Sequence, residues 1–258
     1  MTGVRDLVIA IVEDESIKNE AVHARTERLV RGPLAEVTGY FPFSSNDSFR
    51  TSVVRAVEHL ASVPADPRRL LIISAHGEPE TGTHLAVGNA DEQIVLAEHE
   101  GLFAFPFRDL IIFVSACWGG YAANVDLICK ASRSAPPFLV GPVVPIRDKH
   151  CVLLQNAIID TLMKAEDPVA ALPSCLEKLN EDYRSHYQGN WIRYVAPGAD
   201  PVPAFGEEGL AASYTGKIKL RIIEIIERGS LRWAVLSNGK MEAEMPAASG
   251  RTACHTST

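Results

Sequence analysis

The stretch Leu71-Ile-Ile-Ser-Ala-His76-Gly77 is an apolar run that ends in a histidine and a glycine. Further on, Ile111-Ile-Phe-Val-Ser-Ala-Cys117-Trp118-Gly119-Gly120 repeats the pattern with a cysteine. Both runs are apolar at successive rather than alternating positions, as in a strand covered on its two faces. Working outward, the chain offers strands at Leu7–Val12, Val37–Phe43, Leu70–Ser74, Leu110–Val114, Phe138–Val144 and Trp191–Val195. Between them lie stretches of helical spacing. These are Glu15–Val30, closed by Gly32-Pro33, then a helix capped by Asn46 or Asp47, then Tyr121–Ala131, Val152–Lys164 and Pro168–Tyr183. Strands that alternate with helices predict an α/β fold, three layers in α/β/α order around a mostly parallel sheet.

The chain has 258 residues, enough for a medium domain with an extension. The Pro- and Gly-rich segment Ala196–Gly209 marks the boundary, so residues 1–205 form the main domain. Beyond it, Asn238-Gly239 signals a tight hairpin, predicting a small C-terminal β appendage over 210–246 and a disordered polar tail over 247–258. The net charge of −7 argues against a protein that coats nucleic acid or anionic lipid, so neither nucleic acid nor membrane is expected as a direct partner. Five cysteines at irregular spacing, with no C-x-x-C pair, point away from disulfides and zinc knuckles toward reduced thiols and a cytoplasmic setting. The first apolar run, Leu7–Val12, is too short for a signal peptide or a membrane span.

In an open parallel sheet, functional groups gather at the carboxyl ends of strands. If the strands before His76 and Cys117 are neighbours, thiol and imidazole emerge side by side. Such an imidazole raises the thiolate fraction and later protonates a leaving group. Gly77 lets backbone approach the reacting carbonyl, and its amide with that of Cys117 could hold an oxyanion. Singly, a cysteine at a strand end is packing and a histidine there is a hydrogen-bonded core group. Together, in matching context, they read as nucleophile and base.

The segments SAHGE and SACWGG resemble the His-Gly and Ala-Cys-x-Gly signatures of caspase-like cysteine peptidases, and most nearly the bacterial CHAT peptidases. The His-to-Cys spacing is somewhat below the roughly 50 residues of caspases. The resemblance runs from Leu7 to about Val195 and includes Gly141-Pro-Val-Val-Pro-Ile-Arg-Asp148, which is similar to the strand after the nucleophile. It implies a caspase-like fold and a cysteine endopeptidase with Cys117 as nucleophile and His76 as general acid and base. Gly77 and Cys117 would be the oxyanion donors, with no metal or organic cofactor. It also implies a specific protein substrate and an activating or sensor partner, in bacterial defence or regulated cell death. Caspases carry Gln two residues before the nucleophile and Arg after it, where this chain has Ser115 and Trp118. The aspartate-selecting pocket is therefore not expected. The substrate-contact positions hold Glu13, Asp14, Ser115, Trp118 and Asp148, and carboxylates converging there would favour Arg or Lys before the scissile bond.

Other readings use the same residues. Ser115-Ala-Cys117-Trp-Gly119 partly mimics a nucleophile elbow, with a triad completed by Asp148 and His150 or His186, but the first elbow glycine is missing. A receiver-like domain is suggested by Glu13-Asp14-Glu15, yet no aspartate ends a later strand. A catalytically silent caspase-like interaction module would be expected to lack the His or the Cys, and both are present. The adjacent pairs His150-Cys151 and Cys254-His255 chelate poorly.

Overall fold

The computed structural model describes residues 7–62, 67–77, 84–87, 92–107, 110–132, 137–187 and 189–197. The chain divides between Ala204 and Phe205. The expected β appendage, the Asn238-Gly239 hairpin and the polar tail lie outside the described residues.

Among the described residues, a six-stranded sheet contains β1 (Leu7–Asp14), β2 (Thr38–Phe43), β3 (Arg68–Ser74), β7 (Leu110–Ser115), β8 (Phe138–Pro142) and β9 (Ile192–Val195). Their order is β2-β1-β3-β7-β8-β9, and every pair is parallel except β8 with β9. This is the α/β architecture that continuous apolar runs dictate. Helix α1 spans Ala21–Arg31, α2 Asn46–Ala61, α3 Ala122–Ala131, α4 Asp148–Lys164, α5 Pro168–Asp182 and α6 Arg184–Tyr187. On one face, Val8, Val12, Leu71, Ile73, Ile112 and Val114 pack with Phe49, Val53, Ala56 and Leu60 of α2 and Val125 and Ile128 of α3. Side chains of the opposite parity turn to α1 and α4: Glu13 meets Thr26 of α1, and Ser115 meets Cys151 of α4. Complete burial of an aliphatic side chain contributes about 1.5–3 kcal/mol, so these two apolar layers dominate the stability.

The boundaries depart from the sequence reading where polar chemistry intervenes. β1 continues through Glu13 and Asp14, both fully buried, instead of ending at Val12. A short tight turn over Glu15–Asn19 precedes α1, and the cap of α2 is Ser45, not Asn46 or Asp47. Ser45 and Ser48 satisfy each other's backbone amides in a capping box. A second sheet was not anticipated: β4 (His76–Gly77), β5 (His84–Val87) and β6 (Glu92–Val95) form an antiparallel ladder that starts at the histidine itself. Leu85 and Ile94 root that ladder in the α2 and α3 core. No helix among the described residues is long and apolar enough to cross a membrane.

Below the sheet edge, the first turn of α4 carries a buried histidine in an aromatic cluster. The Nδ1 atom of His150 is 2.6 Å from the Tyr187 hydroxyl, with Tyr183, His186 and Trp191 around the ring. Burial, then the charges of His186, Lys149 and Arg147, hold His150 down at about 4, against 6.5 for a free imidazole. The folded ring is therefore neutral, and unfolding lets it take a proton. Its stabilising contribution is complete above about pH 6.5 and is lost as pH falls toward the folded value, by up to about 3 kcal/mol. Urea midpoints should fall across that window. In His150→Gln the fall should be shallower, and parallel curves for the two proteins would contradict this account.

Candidate active site

Strands β3 and β7 are adjacent and parallel, with Ser74 opposite Ser115. His76 and Cys117 each stand two residues beyond that last pair, so the sheet delivers both to the same edge. They share parity with Ser115, which faces α4. The two side chains therefore rise over the starts of α1 and α4 rather than over α2.

Backbone packing holds the two ends together. A Cβ placed on Gly77 would overlap the Cys117 carbonyl and stand 2.9 Å from the Cys117 Cα. The loop after the cysteine is pinned on its other side by a second bare contact. Gly120 donates to the Pro142 carbonyl at 2.8 Å, and a Cβ on Gly120 or on Gly141 would collide with the other's backbone. Between these contacts the chain turns sharply: Trp118 adopts φ 64°, in the left-handed region, at a cost of about 1–3 kcal/mol. The turn is closed by Gly119 donating to Ala116 and Tyr121 donating to Trp118.

The thiol of Cys117 is enclosed by polar backbone. Ile146 donates its amide to Sγ at 3.4 Å. Burial pushes the thiol up. The Ile146 amide works against that, the Glu20 carboxylate adds to it, and the amides of Cys117 and Gly77 again oppose it. The resting group is a neutral thiol surrounded by donors suited to a negative charge. By contrast, Cys151 is pushed up to about 12 by burial, relieved only by Ser115, and reads as an inert core thiol. Among the described residues Cys117, Cys129, Cys151 and Cys175 are all free. Cys129 and Cys175 are only partly buried.

His76 is held by backbone pairing to Ala86 in the small sheet, so its position does not depend on a free loop. Its Nε2 lies 3.3 Å from Oε1 of Glu20, the residue before α1. The sequence reading passed over Glu20. The available signal was its place in the segment after β1, since β1 is the neighbour of the histidine strand.

The remaining candidates are placed, but with partners inside the protein. Glu13 is 0% exposed, and its carboxylate accepts from Thr26 Oγ1 at 2.6 Å and Tyr40 at 3.3 Å, with His23 Nδ1 at 2.6 Å. Asp14 accepts from the amide and hydroxyl of Ser16. Asp148 accepts from the amides of Ala21 and Val22 at the start of α1. Ser115 is buried with its Oγ 2.9 Å from Cys151 Sγ. Trp118 is 7% exposed and packs inward, and its buried Nε1 meets no acceptor. His150 and His186, the alternative bases, share the aromatic cluster, where His150 bonds to the Tyr187 hydroxyl. No group of three or more His, Cys, Asp or Glu among the described residues is placed to hold a metal ion.

The sequence matches no protein-family model and no curated protein. Among solved structures, a secreted C11 cysteine protease from Bacteroides thetaiotaomicron, determined with an irreversible peptide inhibitor, is similar at a TM-score of 0.47. Identity is 12%, over 88% of this chain and 72% of that one.

The contact of Gly77 with Cys117 is rigid on both sides, so Gly77→Ala should displace backbone rather than a flexible side chain. The expected loss is about 3 kcal/mol in urea denaturation, with slower alkylation of Cys117. Gly101→Ala, where an added Cβ meets nothing within 4 Å, is the matched control. Equal stability and equal Cys117 reactivity in both variants would overturn the packing argument.

Proposed function

We propose that the chain is a cysteine peptidase in which Cys117 attacks a peptide carbonyl and His76 carries the proton. The observation that supports this most directly is the meeting of two adjacent strand ends. It brings His76 and Cys117 to the same edge of the sheet, and the Gly77 and Cys117 amides favour a negative charge on the sulfur. In the reaction, His76 accepts the thiol proton as Sγ bonds to the carbonyl carbon. The carbonyl oxygen becomes an oxyanion between the amides of Gly77 and Cys117, displaced from the sulfur they now face. The C–N bond then breaks, the imidazolium giving its proton to the leaving amine. Water, deprotonated by His76, attacks the thioester, releasing the acid and restoring the thiol.

Burial keeps the thiol neutral until a substrate carbonyl is in place, so general base catalysis at the moment of attack matters more than a standing thiolate. That step contributes on the order of 10²–10⁴ in rate, and each oxyanion donor about 10²–10³. Glu13, Asp14 and Asp148 are engaged by the protein's own donors, so the basic preference expected from them is not carried into this function. The SAHGE and SACWGG resemblance extends the proposal to an endopeptidase of the caspase-like and CHAT kind, acting on a specific protein when a partner triggers it in bacterial defence.

A peptide library incubated with wild type, Cys117→Ala and His76→Ala, and read by mass spectrometry, tests the function. Cleavage by wild type should fall by roughly a thousandfold or more in either variant. Cleavage that survives in Cys117→Ala, or is lost only when His150 or His186 is replaced, would contradict it.

A further inference from the structure

The start of α1 is capped from a distance. Glu20 occupies the cap position in extended backbone, φ −95° and ψ 159°, but its side chain makes no capping bond. The amides of Ala21 and Val22 go instead to Asp148, the first residue of α4, with Val22 N to Oδ1 at 2.9 Å. Relieved of the task its position ordinarily carries, the Glu20 carboxylate lies against His76, 3.3 Å from Nε2, the two side chains being 36% and 49% exposed.

A carboxylate on one ring nitrogen selects the tautomer and orients the ring. With Nε2 directed at Glu20, the nitrogen left to exchange a proton with the thiol is Nδ1. When the ring takes that proton, the new positive charge appears beside a carboxylate. We propose that Glu20 is a positioning residue for His76, so that the site works as a Glu20–His76–Cys117 relay rather than as a dyad. This rests on the peptidase reading of Cys117 and His76. No bond forms or breaks at Glu20: the proton passes from Sγ to Nδ1 and onward to the leaving amine, while the carboxylate steadies the imidazolium.

The charges that face Glu20 come from three elements: His76 of β4, Asp148 of α4, and Asp14 and Glu13 of β1. Burial raises its carboxyl, His76 opposes the rise, and the three carboxylates add to it. The negative charge on Glu20 is thus favoured by a protonated His76. Glu20 also acts on Cys117 over a longer distance, disfavouring the thiolate. That direct effect opposes the one carried through His76, and comparison in the absence of His76 separates the two.

The test needs no knowledge of the substrate. Alkylation of Cys117 by iodoacetamide is followed in the full chain by mass spectrometry of its peptide, from about pH 5 to about pH 9. The proteins compared are wild type, His76→Ala, Glu20→Gln, Glu20→Asp and the His76→Ala/Glu20→Gln double variant. Glu20→Gln should slow the reaction near neutral pH roughly two- to fivefold, the scale of a half-exposed charge pair, and displace the pH profile. Glu20→Asp should restore most of the rate, and once His76 is absent Glu20→Gln should no longer slow the reaction, because only its direct disfavouring of the thiolate is then removed. A Glu20→Gln profile that overlays wild type, or an equal slowing with and without His76, overturns the relay and leaves the dyad standing. A Cys117 that is no more reactive than Cys129 or Cys175, and is indifferent to His76→Ala, overturns the peptidase reading and the relay together.

Discussion

No side chain fits between Gly77 and Cys117, and the geometry of the candidate site follows from that exclusion. Two parallel strands end in register, but side chains beyond their ends would ordinarily hold the two loops apart. With hydrogen in place of a Cβ, the chain after β3 lies directly on the backbone of the chain after β7. One consequence is that two amides converge on the sulfur. Another is that the histidine enters the small antiparallel ladder at once. The opposed glycines Gly120 and Gly141 perform the same service toward β8, so the nucleophile loop is gripped on both sides by backbone alone. The left-handed Trp118 is the strain that such a grip sustains.

The edge of the sheet is rich in carboxylates, yet most are structural. Glu13 is tolerated in the interior because three groups from α1 and β2 meet it. Burying an unpaired carboxylate would be prohibitive, whereas one with several donors is stable. Asp14 and Asp148 hold the backbone at the turn and at the α1 start. Glu20 differs because its partner is the histidine. Proximity to the thiol thus does not by itself assign a role; the partner of each carboxylate does.

The sheet was legible because its strands are buried on both faces and their apolar runs are unbroken. The pair His76 and Cys117 was legible because each follows such a run, and adjacency of β3 and β7 supplies the rest. The β5 and β6 strands were not legible. His84–Val87 and Glu92–Val95 are only four residues each, too short for a periodic pattern, and among their described side chains Leu85 and Ile94 bind them to the core. The extension of β1 through Glu13 and Asp14 contradicts hydropathy and becomes comprehensible only with Thr26, His23 and Tyr40 in place. Glu20 was hidden for a related reason. The helical stretch read over Glu15–Val30 places it inside a helix, whereas Glu20 stands just before α1, and the distant Asp148 releases it from capping.

That release has a consequence for the order in which the molecule forms. A helix capped by its own preceding residue can begin as soon as its first turn closes. Here the first amides of α1 wait for an acceptor 127 and 126 residues away. Closing so long a loop carries an entropy that must be met before the contact stabilises anything. The start of α1, and with it the direction of the Glu20 side chain, is therefore fixed only once the start of α4 has docked against it. A nascent chain that has already paired β1, β3 and β7 would hold its thiol and imidazole together while their third partner is still unplaced.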